Sequence, residues 1–402
     1  MHSFLTLTGF EYKKIFKRKS SIVALVLGVI AICASPLPMF FMMSYIDGEP
    51  YENHYEAMVK ERAYALALSG RMVDAGLFGE MQDAYAMIPA IERYEASPEY
   101  QAYARPYNRL FWLLNREYGY GLDLEGLASL TADDFRAFYQ TRHDNVVAGI
   151  RAGAISDAAK ERLIALNSVI ETPYVYAHTD GFNALFGYIY TLGIICAFIL
   201  AKCLAPMFAD EYATGADQLL LTAKHGKGRL IAAKLCAALS LFVLYFLLLL
   251  ALAYIMCSLV YGYDGAAAPV QLIMPFLAYP LSVAGAVGIF AACAFGGVFL
   301  FVAITLLLSS RLRSPFGVII VVSVLLFVPM MVSVPETAVW LWQIFTLLPS
   351  GVMTQWHVFS HVPFDFFGLI ALPYVVLPVY AFLAGAMMLP FTWRGFRRHQ
   401  IG

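Results

Sequence analysis

Three short constellations in this 402-residue chain have residue types that could do chemistry. His357 and His361 stand four residues apart, and Asp365 follows four later. On one helix that spacing would align metal ligands. The surrounding stretch holds Trp340, Trp342 and Trp356, a composition suited to a membrane interface, so interfacial packing is preferred to a metal site. Ser156-Asp157-Ala158-Ala159-Lys160 fits the S-x-x-K pattern, but the companion motifs are missing. Gly226-Lys227-Gly228 lacks the glycine spacing and the Ser/Thr of a phosphate-binding loop. No HExxH or GxSxG is present. The chain is therefore expected to be no enzyme, with no catalytic residue, no metal and no cofactor of its own.

Two other segments have the pattern of mechanical rather than catalytic parts. At 100° per residue, Phe4, Leu5, Tyr12, Ile15 and Phe16 fall on an arc of about 120°, with Lys13, Lys14, Lys17 and Arg18 opposite. This predicts an amphipathic basic helix over 1–20, lying in the membrane interface. The second segment runs from Lys202 to Lys234. It reads as an acidic helix start at Asp210 and Glu211 before Gly215, then an apolar face at Leu219, Leu220 and Leu221, then a Gly-rich basic turn with Lys227 and Arg229. That order predicts a short helix presenting an apolar face to a partner groove.

The elements that hold these segments follow from charge. Sixty per cent of residues are hydrophobic, 14 per cent are charged, and the mean hydropathy is +0.68. A soluble domain has about 25 per cent charged residues. Stretches with no Asp, Glu, Lys or Arg run over 20–46, 181–201, 235–263, 265–310, 314–335 and 366–393. Each is long enough to cross a hydrocarbon core, which needs about 20 apolar helical residues. The expectation is an all-α polytopic membrane protein with six transmembrane helices, at 21–46, 182–203, 230–261, 280–309, 315–333 and 366–390. This excludes a soluble enzyme, a nucleic-acid binder and an outer-membrane barrel. All six cysteines lie within or beside apolar runs, where small buried thiols are expected. Lys202 and Lys234 are read as basic residues of the link between the second and third spans. With no charge assigned to the hydrocarbon interior, an ion-coupled carrier is disfavoured.

Basic residues set the expected orientation. They cluster before the first span, between spans 2 and 3, at Arg311 and Arg313, and at Arg394, Arg397 and Arg398; the loops after spans 3 and 5 have none. Both termini are therefore expected in the cytoplasm of a multi-pass plasma-membrane protein, with a tail at 391–402. Residues 47–181 are expected outside, as a helical domain of four to six short helices. The segment 47–182 carries 12 basic and 21 acidic residues, a net charge of −9. Ser97-Pro98-Glu99 and Thr131-Ala132-Asp133-Asp134 read as helix starts.

The basic pre-membrane helix, the E-x-x-x-G step at Glu211–Gly215, the Leu219–Thr222 run and the return through Gly228, Arg229 and Lys234 resemble ABC-2 type transporter permeases. The six-span layout and Leu347-Leu348-Pro349-Ser350-Gly351, similar to the family's re-entrant helices, extend the resemblance across most membrane portions but not over 47–182. The resemblance implies that 204–229 is a coupling link docking on a separate ATPase subunit, which would hold ATP and Mg. It implies a second permease subunit, identical or different, and export of a peptide or an amphipathic compound. A membrane sensor or assembly platform with a ligand-binding outer domain is the other class considered.

Overall fold

A computed structural model describes residues 2–46, 48–89, 94–222 and 228–398. The described chain is mostly helical and divides into two compact units.

The first unit comprises 1–34, 186–254 and 289–402. Its helices include His2–Lys17, Lys19–Ala34, Pro206–Thr214, Ala216–Thr222, Pro315–Met331, Val339–Leu347 and Pro373–Arg397, with the larger parts of Asp180–Leu204, Arg229–Tyr261 and Val283–Ser309. Among the described residues, four helices are long and apolar enough to cross a membrane: Asp180–Thr214, Arg229–Tyr261, Val283–Ser309 and Pro373–Arg397. Lys19–Ala34 and Pro315–Met331 are shorter, at 16 and 17 residues.

The expected first and last spans differ from the observed helices for local reasons. The first was drawn to residue 46, but its helix ends at Ala34. Pro36 and Pro38 cannot donate to the helical ladder, and a short 3-10 turn at Leu37–Phe40 replaces it. Met43–Ile46 then pairs with Glu49–Asn53 as a hairpin. The last span was drawn from 366, but Phe364–Phe366 and Leu369–Ala371 form a second hairpin. Its turn needs left-handed backbone at Phe367 (φ 57°) and Gly368 (φ 92°), and Asp365 Oδ1 accepts from Gly368 N at 2.7 Å. The helix then starts at Pro373, where a missing N–H costs nothing.

Small residues let the apolar helices of this unit approach closely. A Cβ on Gly28 would lie 2.1 Å from the Tyr245 hydroxyl, which donates to Leu25 O at 3.0 Å. A Cβ on Gly351 would lie 2.1 Å from Phe345 O, so the chain folds tightly back after Val339–Leu347. This packing through glycine is expected where apolar burial alone cannot drive helix association.

The second unit comprises Ser35–Leu185 and Ile255–Gly288. Among the described residues, seven α-helices between His54 and Ser168 surround a core that includes Phe78, Met81, Tyr85, Phe111, Phe135 and Phe138. This exceeds the four to six helices expected; 124–152 divides into Leu124–Ser129, Ala132–Arg136 and Phe138–Ala152. Both predicted helix starts are present. Ser97 Oγ accepts from Tyr100 N at 3.1 Å, and Thr131 forms a capping box with Asp134. Ser156, the first residue of the S-x-x-K pattern, caps the helix Asp157–Ser168 by accepting from Ala159 N. The apolar return segment after Tyr261 belongs to this unit, which the charge pattern did not indicate. Wholly buried Arg142 secures it, donating to Pro275 O and Leu277 O at 2.9 Å each.

Candidate functional site

The first unit brings together acidic and basic side chains from three segments far apart in sequence. The N-terminal helix contributes Glu11 and Lys14. The link helix Pro206–Thr214 contributes Glu211. The start of Arg229–Tyr261 contributes Lys234. Lys234 is fully buried, while Glu11 and Glu211 are 3 % and 7 % exposed. Lys234 Nζ donates to Glu11 Oε2 at 3.0 Å, Glu211 Oε1 at 2.5 Å and Met207 O at 3.0 Å. Those three bonds use all the donors of an ammonium group. Its charge also lies 5.5 Å from the centre of the Phe208 ring.

Lys14 closes the cluster from the exposed side, reaching Glu11 Oε1 at 2.9 Å and Glu211 Oε1 at 3.1 Å. Burial alone would lower the pKa of Lys14, but its hydrogen bonds and charge interactions with the two glutamates outweigh that and raise it. Two carboxylates thus face two ammonium groups. One turn beyond, Arg18 pairs with Asp210 at 2.6 Å. A buried charge is tolerated only when paired and hydrogen-bonded, so the three segments must keep this register.

The link helix is fixed from other directions too. Ser309 Oγ accepts from Phe208 N at 3.0 Å and Ala209 N at 3.2 Å, and donates to Ala205 O at 2.7 Å. Phe396 packs on Phe208 and Tyr212. Gly215 ends the helix in the left-handed region at φ +71°, where a side chain is disfavoured. A cleft of about 510 Å³ opens beside the cluster, lined by Glu11, Lys14, Arg18, Asp210, Glu211 and Leu219, among others.

The structure brings Asp210, Glu211 and Lys14 together as one group. Leu219 projects from the helix Ala216–Thr222 and is 79 % exposed. Arg229 opens the next long helix. Lys227 and the side chains of Leu220 and Leu221 lie outside the described residues.

On the N-terminal helix, Phe4 and Tyr12 are half-buried, while Leu5 and Phe16 are exposed at 60 % and 42 %. Tyr12 donates to Ser240 Oγ at 2.8 Å. Lys13 and Lys17 are exposed. The face packed on protein is centred on Glu11 and Ile15 rather than on the whole apolar arc.

Sequence reasoning missed two members of the cluster. Glu11 stands outside the residues that the sequence pattern marks, and Lys234 falls among the basic residues of the link. The physical correction is that both are enclosed and satisfy each other. Signals existed: Glu11 is the one acid in residues 1–19 and falls on the side of Phe4 and Ile15, and Lys234 follows Leu-Ile-Ala-Ala. A charge on an apolar face requires a partner.

The histidine constellation does not assemble. His357 lies in the short helix Gln355–Val358, its Nδ1 3.2 Å from Gly351 O and its ring edge-on to Trp342. His361 follows that helix, and Asp365 lies in a strand. Among the described residues, no group of His, Cys, Asp or Glu is arranged to hold a metal ion. No protein-family model, curated protein or solved structure matches this chain.

Proposed function

We propose that this chain is the permease subunit of an ATP-driven exporter of the ABC-2 type. In this reading six helices cross the plasma membrane, with Lys19–Ala34 and Pro315–Met331 as the two short spans. Both termini are cytoplasmic, and residues 47–181 are outside. The observation that carries the proposal is the buried cluster of Glu11, Lys14, Glu211 and Lys234. It joins the N-terminal helix, the link helix and the start of a long apolar helix into one lever.

The chain's residues have mechanical roles in this scheme. An ATPase subunit, which would hold ATP and Mg, docks on the link around Asp210–Arg229, with exposed Leu219 in its groove. A push on the link reaches the spans through Lys234, because sliding the link would strand two carboxylates. Leu5 and Phe16 face lipid, and Lys13 and Lys17 face headgroups, so the N-terminal helix moves along the interface. A second permease subunit completes the path for a peptide or amphipathic compound. No nucleic acid takes part.

Affinity purification of the tagged chain in mild detergent tests this, comparing Leu219→Asp and Glu211→Ala with the parent. The expected result is a stoichiometric Walker-containing ATPase with the parent, lost with Leu219→Asp and uncoupled from transport with Glu211→Ala. Absence of any ATPase from the parent preparation would reject the exporter and favour a sensor or assembly platform.

A further inference from the structure

The second unit contains a groove of about 810 Å³ that the permease mechanism does not use. Tyr174–His178 forms one wall. This extended segment is paired on one edge only: Val73 N donates to Tyr174 O at 2.8 Å, Tyr176 N to Arg71 O at 2.8 Å, and Gly70 N to Tyr176 O at 2.9 Å. Backbone groups alternate between the edges of a strand. The N–H and C=O groups of Val175 and Ala177 therefore point to the other edge, and among the described residues they make no hydrogen bond. The opposing wall is the segment Asp264–Pro269. The walls meet at one end, where a Cβ on Gly265 would lie 2.2 Å from His178 O.

The chemistry of the lining selects an occupant. Its ionisable side chains are Glu171, Asp264, His178, Tyr174 and Tyr176. Asp264 is already paired with Arg62 at 2.9 Å, so among the described residues Glu171 is the lining carboxylate without an ion pair. His178 and Gln271 are each 1 % exposed. His178 Nε2 lies 2.9 Å from Tyr261 O and donates to it, while Nδ1, 4.0 Å from Asp180 Oδ2, makes no hydrogen bond. The Gln271 amide nitrogen donates to Leu277 O and Tyr279 O, which leaves Oε1 likewise unpartnered. The groove thus offers one free strand edge, the Glu171 carboxylate and the buried acceptor Gln271 Oε1.

We propose that this groove binds an extended cationic peptide, which adds as a strand along Val175 and Ala177. Strand addition draws affinity from the main chain and selects through alternate side chains. Here those side chains would be apolar toward Leu66 and Ile170, and basic toward Glu171 and Gln271 Oε1. The proposal rests on the exporter reading only for the fate of the bound peptide; binding itself needs no ATPase.

The test uses the full chain in nanodiscs of zwitterionic lipid and fluorescence anisotropy of labelled decapeptides. One alternates Val and Arg, one is the same with every second amide N-methylated, and one alternates Val and Glu. Saturable binding of the first is expected, weakened about tenfold or more by N-methylation through loss of strand hydrogen bonds. The acidic peptide should not bind. Ala177→Pro removes one edge donor without touching a native hydrogen bond and should weaken binding. Glu171→Lys, at an exposed position, should do so even if Ala177→Pro does not fold. No saturable binding, equal binding of the N-methylated peptide, or an unchanged Glu171→Lys would overturn the proposal. Binding without a co-purifying ATPase would keep the groove and reject the exporter.

Discussion

Lys234 Nζ lies 2.5 Å from Glu211 Oε1, with the lysine wholly buried. Breaking such a pair from one side leaves an uncompensated charge in the interior. Lys234→Met should therefore cost about 3–5 kcal/mol. Thermal unfolding of the purified protein in one detergent measures it. The double change Glu211→Gln with Lys234→Met should cost less than the sum of the single changes, by roughly 0.5–3 kcal/mol. Additivity would mean that the two residues do not act as a pair.

The approach of Gly28 to Tyr245 gives a steric prediction. Gly28→Ala places a methyl 2.1 Å from the Tyr245 hydroxyl and 2.6 Å from Ile199 Cδ1. Overpacking of this kind costs about 1–3 kcal/mol. Adding Tyr245→Phe should recover part of the loss, because the hydroxyl is the nearer obstacle. Melting temperatures of the single and double variants, compared with Tyr245→Phe alone, decide it.

Acid should loosen the second unit through Glu52. This residue is 3 % exposed and lies 2.6 Å from Lys60 Nζ and 2.7 Å from Arg105. Burial alone would raise its pKa, but hydrogen bonds and charge interactions with Lys60 and Arg105 outweigh that and hold it below the ordinary 4.5. A depressed carboxylate contributes stability that is present above its unfolded pKa and lost as pH falls through its folded pKa. Stability should therefore fall as the pH drops below about 4.5. Glu52→Gln should be less stable at pH 7 and show a flatter acid limb. An identical acid limb in the variant would assign the effect to other groups.

The cap at Ser309 gives a smaller effect. Ser309→Ala frees the Phe208 and Ala209 N–H groups, which donate to it at 3.0 and 3.2 Å. A lost cap costs about 1 kcal/mol. Hydrogen exchange at Phe208 and Ala209 should quicken in the variant, with the far end of Val283–Ser309 unchanged. Unchanged protection at both amides would show that the hydroxyl is not their cap.

Local features were readable from the chain. Charge-free runs marked the four long apolar helices, and Ser97 and Thr131 marked helix starts, because hydropathy and capping depend on residues within one or two turns. The same logic overran at Pro36 and at residues 366–371. There an apolar run continued past the helix, and proline or a hairpin turn ended it. Asp210 and Glu211 read as the acidic start of the link helix, but they lie near the end of Pro206–Thr214, which Gly215 terminates before the apolar helix Ala216–Thr222 begins. The meaning of Glu211 was not legible, since its partners are Lys234, 23 residues later, and Lys14, 197 residues earlier.

The amino-acid sequence by itself determined that this is a helical chain with long apolar helices and a polar, acidic insertion. Solvation of each segment is a property of its own residues. Tertiary structure alone decided that Glu11 meets Lys234, 223 residues away. It also decided that Tyr174–His178 pairs with Gly70–Val73 along one edge and leaves the other open. A buried charge or a free strand edge specifies that a partner is needed, but many residues could serve. Only packing selects which one arrives.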